Sequence, residues 1–366
     1  NLAITTTDNT TAGNNIGLKA SNANRLILDN VQITAGAASA GAPGESISNS
    51  ARHGRKGSAG LQGQTAPDQE NASYDCPFSE RVHLLPEDKR KSITCEENDV
   101  QGGRGGYGGC TNTLPQAGNP SPANVGAGQA GTASSKSGVD GEHATPWTRQ
   151  SWGTPGLGGQ TQSRIFAGQW LPDGVGEQGG TGTHGAGGGG GGGAYKQDDP
   201  YASGPSGGNG GNGGCGGYGG HGGHPGGASI GLLIIDSFGL EIRNNSSFTS
   251  GQAGDGGQGG DGGIGGSGGE GGKGTDQACV VTTANIPGFN VRNVRDCQTL
   301  TYRSGNGGNG ADGTPGGPGG GGAGGDSIGI YCHASRISLP PSTAAKAGEA
   351  GQGGLGGAYP VPDEPV

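Results

Sequence analysis

The side chains with the types and spacing that metal sites use are three histidines and two aspartates: His184, His221, His224, Asp255 and Asp261. His221 and His224 are three residues apart, so a helix with three residues per turn would place them on one edge, about 9 Å apart. Zinc holds its ligand nitrogens about 2 Å away, and we interpret this spacing as too long for a shared ion and the two histidines as exposed third-position residues. Residues 256–264 read GGQGGDGGI and approach the calcium motif GGxGxDxUx, but Gly263 replaces its large aliphatic residue. We therefore expect no metal site.

Glycine-rich sequence also produces matches to the nucleotide-binding pattern GxGxxG. That fingerprint requires a strand before it and a helix after it, and segments with glycine throughout cannot form the helix. The candidate serine, cysteine, histidine and aspartate residues lie in different loops, so no catalytic triad or pair can be placed. We expect the protein not to be an enzyme and to need no cofactor.

Seven cysteines indicate an oxidising compartment. One pair of cysteines, Cys76 and Cys95, brackets a polar segment, and a second pair, Cys279 and Cys297, brackets another. Closing a loop of about 20 residues with a disulfide contributes about 3 kcal/mol in the chain-entropy model, so we predict these two bridges. An odd count leaves one cysteine free or intermolecular among the remaining three. These are Cys110, Cys215 and Cys332.

The composition excludes a conventional core and several classes of partner. Of 366 residues 92 are Gly and only 28% are hydrophobic, which is too few apolar side chains to offset the entropy lost on ordering. The net charge of -9 disfavours nucleic acid, and no apolar run reaches the roughly 20 residues of a membrane span. The sequence has no Met and opens at Asn1, which fits a mature product after signal-peptide removal. We expect a secreted or cell-surface protein.

A triplet repeat organises much of the chain. Residues 207–223 read GGN-GGN-GGC-GGY-GGH-GG, and residues 256–272 read GGQ-GGD-GGI-GGS-GGE-GG. Period three is the period of a polyproline-II helix, in which the third residues form one edge and two edges are bare glycine. Collagen would need proline at the positions that glycine fills here, and flexible linkers rarely keep this phase. We assign the polyglycine tracts to 102–109, 179–193, 207–227, 254–274, 305–325 and 348–357.

A longer repeat interrupts the tracts three times, at 14–36, 228–251 and 326–348. Each copy has Ile-Gly followed by an apolar residue, then a small polar step, then a second apolar alternation. This pattern predicts two short β-strands with a turn, so we expect three strand pairs that stack into a small β layer. We expect the core to contain Leu26, Ile234, Leu240, Ile242 and Ile337. The excursions from this repeat-built single domain are 64–101, 111–175 and 274–304.

Large aromatic residues fall in or beside the excursions. Binding residues often lie on loops held by a rigid scaffold, and aromatic side chains are typical contact anchors. In a chain with so few aromatics they could equally fill small cores, and both interpretations stay open. The candidates are Trp147, Trp152, Trp170, Tyr195 and Tyr201.

The triplet tracts resemble those of the polyglycine-II sandwich proteins, which include snow flea antifreeze proteins, tip adhesins of some T-even-like phages and PE-PGRS surface proteins. The resemblance implies an extracellular setting and a bundle of polyglycine helices of the polyproline-II type. With the strand pairs, the expected fold is an irregular repeat architecture with little or no α-helix. Members of this group differ in function, so the resemblance does not choose an activity.

The first functional expectation is a structural protein, either a surface-layer component or the subunit of a fibre, that associates with itself. The segment Asn1 to Thr11 could pair with an exposed edge of a neighbour, and its deletion should then abolish assembly. The alternative is an adhesin that displays loops on a polyglycine scaffold and binds a cell-surface receptor or glycan. A second alternative is an ice-binding protein.

Overall fold

The structure is a computed structural model, and it describes most of the tracts and all three long repeats. The described residues are 2–11, 13–47, 54–57, 59, 62, 94–95, 98–100, 102–103, 137–146, 152–161, 163–194, 205–284, 292–299 and 302–360. Regular secondary structure in these ranges is β-strand without helix, and no helix long and apolar enough to cross a membrane is found among them.

The strands are short, and most of them belong to the three long repeats. They are β1 (Leu2–Thr5), β2 (Asn15–Ser21), β3 (Ile27–Asp29), β4 (Val31–Thr34), β5 (Thr94–Cys95), β6 (Asn98–Asp99), β7 (Arg164–Phe166), β8 (Gln169–Leu171), β9 (Ser229–Ile235), β10 (Leu240–Arg243), β11 (Ser247–Thr249), β12 (Gln277–Ala284), β13 (Arg292–Thr299), β14 (Ser327–His333), β15 (Ile337–Ser338) and β16 (Ala344–Lys346).

The three repeats form a three-sided stack, a name we use for residues 14–36, 228–251 and 326–348 together. Each repeat contributes one strand to each of three parallel sheets, with orders β14-β9-β2, β15-β10-β3 and β1-β4-β11-β16. The register aligns the repeats as the sequence does, since Ile16 and Ile328 both pair with Ile230. The second repeat therefore lies between the first and the third.

The expectation of two strands per repeat, paired with each other through a turn, is wrong. Each repeat has three strands, and the strands pair between repeats, not within one. The corners explain the difference. Asn22 and Asn30 hold positive φ angles of 52° and 51°, and Asp236 and Asn244 hold 48° and 50° at the equivalent corners of the second repeat. Single left-handed residues, which Asn and Asp tolerate, deflect the chain into the next side without closing a hairpin.

The interior of the stack is the main apolar core. Of the residues expected there, Ile234, Leu240 and Ile242 are buried, and Leu26 and Ile337 pack against them partly buried. Ile33, Leu232 and Phe248 complete its centre, each at most 1% exposed. Burying one such side chain stabilises the fold by about 1.5–3 kcal/mol. The glycine-rich tracts continue directly from the repeats that enclose this core.

Tracts that enter or leave the stack lie side by side and hydrogen-bond to one another. In the central tract, residues 207–227, every third N–H from Gly208 to Gly226 donates to a carbonyl of residues 305–323, over 2.8–3.0 Å. The carbonyls of the same residues from Gly208 to Gly223 accept from residues 176–191, and the carbonyls one residue later accept from residues 254–272. We call the hydrogen-bonded set the glycine array. It comprises residues 39–57, 138–159, 174–194, 207–227, 254–274, 305–325 and 349–358, within the described ranges.

Part of the expected excursion 111–175 belongs to this array. The amides of Gly138, Gly141 and Ala144 donate to the carbonyls of residues 303–309, and those of Gly153, Gly156 and Gly159 donate to residues 315–321. Here one residue in three lies between two neighbouring tracts and must be small, while the carbonyls of the residues that follow Gly138 and Gly141 accept from residues 189–192. This outer tract therefore does not have the GGX triplet sequence of the inner tracts.

The inner tracts leave no room for a side chain on their bare edges. A Cβ atom added to Gly222 would lie 1.7 Å from the carbonyl oxygen of Gly176, which belongs to the backbone of the next tract. In the outer tract 349–358, a Cβ on Gly353 would find its nearest atom, the oxygen of Gly322, at 3.8 Å. Glycine is thus a packing requirement inside the array and not at this outer edge.

Candidate binding end of the glycine array

The glycine array has two different ends. At one end, which we call the stack end, Gly227 leads into β9 and Asp326 leads into β14. At the opposite end, which we call the loop end, neighbouring tracts are joined through inserted segments that are not part of the long repeats. The two ends therefore differ in what they can present to a partner.

The residues that flank these inserted stretches lie together at the loop end. The amide of Ala194 donates to the carbonyl of Pro205, and that of Ser304 donates to Thr275, each over 3.0 Å. These contacts bracket the insertions 195–204 and 276–303. The second insertion contains β12 and β13, an antiparallel pair that adds to no other sheet in the described structure.

Two further insertions begin or end near the same place. Gly57, which precedes the insertion 58–99, donates to the carbonyl of Ser267, and Gly103 accepts from Gly210 near the start of the central tract. Gly138, which follows the insertion 104–136, donates to Arg303. Four inserted stretches thus start from the half of the array nearest the loop end, and the expected tract 102–109 lies outside the described residues from residue 104 onward.

A disulfide ties one insertion to the central tract. Cys95 is bonded to Cys215, with a Cα–Cα distance of 5.4 Å and a sequence separation of 120. Both residues are buried, together with Val100. The predicted bridge between Cys95 and Cys76 is therefore wrong, because spacing along the chain does not reveal which tract lies beside residue 95. Cys76 lies outside the described residues.

The other cysteines have different outcomes. The register of the β12–β13 pair places Cys279 directly opposite Cys297, as the predicted bridge requires. Cys332, on β14, is a free and exposed cysteine, and partial burial of its thiol raises its pKa. Its thiol therefore stays protonated at neutral pH, which weakens it as a nucleophile. Cys110 lies outside the described residues.

The aromatic candidates divide between core and surface. Trp170, on β8, is 5% exposed and packs with Ile230 and Leu233 on the outer side of the stack, and its ring meets that of Tyr331 edge-on at 4.7 Å. It is a core residue and not a contact anchor. Trp152 stacks obliquely on Tyr359 with ring centroids 5.2 Å apart. The remaining three candidates lie outside the described residues: Trp147, Tyr195 and Tyr201.

The acidic and amide side chains at the third positions of the triplets bind backbone amides. Asp255 accepts from the amide of Gln352, and Asp261 accepts from that of Ala358, each over 2.7 Å. Asn306, Asn309 and Asp312 do the same for residues 268–274. These carboxylates and carboxamides replace a missing neighbour by satisfying N–H groups at the edge of the array. This hydrogen bond gives the Asp261 carboxylate a structural role that needs no calcium ion.

Histidines take part in the same edge chemistry. The Nδ1 atom of His184 accepts from the amide of Gly216 at 2.9 Å, and that of His143 accepts from Asn309 at 2.8 Å. Accepting a backbone N–H requires Nδ1 to be unprotonated. His221 approaches Glu45, with Nε2 and Oε2 4.0 Å apart, and His224 is exposed. Groups of three or more possible metal ligands are absent from the part of the chain that the structure describes.

One ion pair stands at the far tip of the stack. Arg243 donates to the Glu241 carboxylate over 2.7 Å, which lowers the pKa of Glu241 and raises that of Arg243. Both groups are solvent-accessible and pair along one strand, so they are part of the surface of β10.

The sequence alone does not identify the loop end as a candidate site. Triplet phase locates the tracts, but it does not say which of their ends lie together. The hydrogen-bonded pairing of tracts supplies that information, and it depends on the order in which the chain returns to the stack. No family model matches the chain, and no curated protein or solved structure is significantly similar to it.

Proposed function

We propose that this protein is a non-enzymatic extracellular recognition protein, an adhesin-like scaffold whose polyglycine helices hold four inserted segments at one end. The observation that carries the proposal is that the flanks of all four insertions lie in the half of the array nearest the loop end. Loops on a rigid scaffold are where binding residues concentrate. At the opposite end the tracts run into the stack, where the connecting segments pack on an apolar core.

The polyglycine-helix part of the proposal rests on the period of the hydrogen bonds. Contacts that recur at every third residue, on three successive edges of one tract, match a helix with three residues per turn and no internal hydrogen bonds. At about 3.1 Å per residue, the central tract would be about 60 Å long. A scaffold of this length would hold the insertions far from the stack.

The edges of the array support a discrete scaffold over one that grows sideways. Asp140 and His143 accept from the amides of Asn306 and Asn309, which otherwise face outward. Further along the same edge stand Pro315 and Pro318, which have no N–H to satisfy. An edge with its donors capped or removed offers little to an additional tract.

The test is a binding screen with excision of one insertion. Thr275 and Ser304 are already joined by a hydrogen bond, so residues 276–303 can be replaced by a short Gly-Ser linker without moving either tract. Labelled protein would be screened on glycan arrays and on intact cells. We expect the parent to bind a discrete target, and the excised variant to lose or change that target at an unchanged melting temperature.

A matched control alters the other end. Lys346→Ala and Glu349→Ala lie where the third repeat joins its tract, both exposed, and should leave binding unchanged. If no excision at the loop end changes binding, or if the stack-end changes abolish it, the proposal is wrong. The fibre-subunit prediction is the competing outcome, and electron microscopy of the native protein would reveal it as filaments with a constant repeat.

A further inference from the structure

The chain contains the same repeat-on-repeat interface twice. The second repeat of the stack pairs with the first through β2, β3 and β4, and with the third through β14, β15 and β16, and all six pairings are parallel. The inward rows align across the repeats, such as Leu18, Leu232 and Ile330. A stack with this geometry has no intrinsic limit, so something must stop it at each end.

At the outer side of the first repeat, the stop is β1. It pairs with β4 in parallel, with Ala3 beside Gln32 and Ile4 beside Ile33. This continues the row Ile33, Phe248 and Ala345 by one more place. The amides of Thr6 and Asn9 extend the contact along residues 34–37. Residues 2–9 thus occupy the position that the last side of a fourth repeat would take.

The attachment of β1 is light. Of its four residues only Ile4 is partly buried, and Leu2 is 55% exposed. Val31 and Ile33 on the strand beneath are 5% and 1% exposed. The edge that β1 covers is therefore better suited to a buried interface than β1 itself is.

The opposite end of the stack has a complementary surface that is open. Ile330 and Ile337 are only partly buried, and Leu339 is 49% exposed. Ala345 is exposed, and it is the last residue of the row Ile33, Phe248 and Ala345. Placing this end on the first repeat of a second copy would set Ile330 beside Leu18 and Ala345 beside Ile33, the neighbours that the internal registers prescribe.

We propose that β1 is a removable stop, and that the edge beneath it accepts the third repeat of a second copy of this chain. The contact joins two different surfaces, so it is head-to-tail and generates open filaments. It reproduces an interface that the chain already makes twice, and it does not depend on the recognition function. On this proposal, deleting the N-terminal segment promotes assembly. The sequence-based expectation is the opposite, that the deletion abolishes assembly.

The test compares the full chain with a variant that lacks residues 1–9, by sedimentation and electron microscopy. We expect the full chain to sediment as one species of 35.3 kDa. The deletion variant should show a mass that rises several-fold with concentration, and filaments. A deletion variant that is folded by circular dichroism and stays monomeric would overturn the proposal, as would filaments of the full chain that disappear on deletion.

Two point variants keep the test decisive if the deletion impairs folding. Ile4→Asp removes the one partly buried contact of β1 and should polymerise like the deletion. Ala345→Glu is exposed in the monomer, so it should leave the melting temperature of the full chain unchanged. In the deletion background it should return the protein to monomers, since a carboxylate would then be buried against Ile33 of the second copy. Polymers that persist with Ala345→Glu would refute this interface.

Discussion

The three-sided stack and the glycine array are both held by backbone ladders between distant segments, yet they exclude water with different parts of the chain. In the stack, all seven residues of β9 are buried and five of them carry large aliphatic side chains. In the central tract, glycines and the backbone carbonyls of the third-position residues touch the neighbouring tracts, and the contact is between backbones. One region is stabilised by burying side chains, the other by having none on the contacting edges.

The difference assigns them different energetic roles. Ordering glycine costs more backbone entropy than ordering any other residue, and each hydrogen bond contributes only about 0.5–1.5 kcal/mol net. Close approach adds weak Cα–H···O contacts. The apolar burial of the stack has no equivalent in the array. We infer that the stack fixes the ends of the tracts and that the array adds hydrogen bonds to segments already brought together.

The sharpest way to break this comparison is to put a methyl group into the array. Gly222→Ala would place a Cβ 1.7 Å from the backbone oxygen of Gly176. Neither partner has a side chain that can move aside, so the tracts must separate and lose ladder bonds. We expect destabilisation of about 4 kcal/mol or more, beyond the usual cost of overpacking, measured by denaturant unfolding.

Its matched control is Gly353→Ala on the outer tract, where the added Cβ meets nothing closer than 3.8 Å. The unfolding free energy should change by less than about 0.5 kcal/mol. Equal losses at the two positions would mean that glycine is required for backbone conformation and not for close approach.

The stack responds to the opposite change, the removal of a side chain. Phe248→Ala empties the centre of the interior, where Phe248 is 0% exposed, and should cost about 3–5 kcal/mol. Phe238→Ala removes the same group at a site that is 59% exposed, and should cost less than about 0.5 kcal/mol. Thermal unfolding of both variants measures the difference. If Phe248→Ala caused only a small loss of stability, the stack would not be the stabilising core of the protein.

The sequence could predict the parts of each region that depend on local pattern. Triplet phase located the inner tracts, and the Ile-Gly repeat located the stack and buried positions such as Ile234 and Ile242. In the third repeat the third side was missed because β16 reads AAK, which has little strand propensity, and is a strand only through pairing with β11. The Cys95–Cys215 bridge was missed because it depends on which tracts are neighbours.

A third prediction concerns the link between an insertion and the array. Replacing both Cys95 and Cys215 by Ala removes a cross-link over 120 residues and should cost about 2–5 kcal/mol, the usual range for loss of a native disulfide. The loss should be confined to the loop end, so amide exchange should accelerate around Val100 and Gly213, which are hydrogen-bonded, and not in β9. Uniform acceleration, including β9, would mean that array and stack unfold as one unit.

The smallest effect is expected at the capped edge of the array, where a side chain replaces a tract. Asp255→Ala removes the carboxylate that accepts from the Gln352 amide over 2.7 Å. By analogy with helix N-caps, whose side chains also satisfy unpaired amides, the loss should be about 1 kcal/mol. The Gln352 amide should exchange faster than that of Gly354, which donates to the backbone oxygen of Gly322.

Glu270→Ala, at an exposed third position of the same tract, is the control and should change neither stability nor exchange of residue 352. Equal behaviour of the two variants would show that the third-position side chains contribute solubility alone, and that the edge amides are satisfied by water.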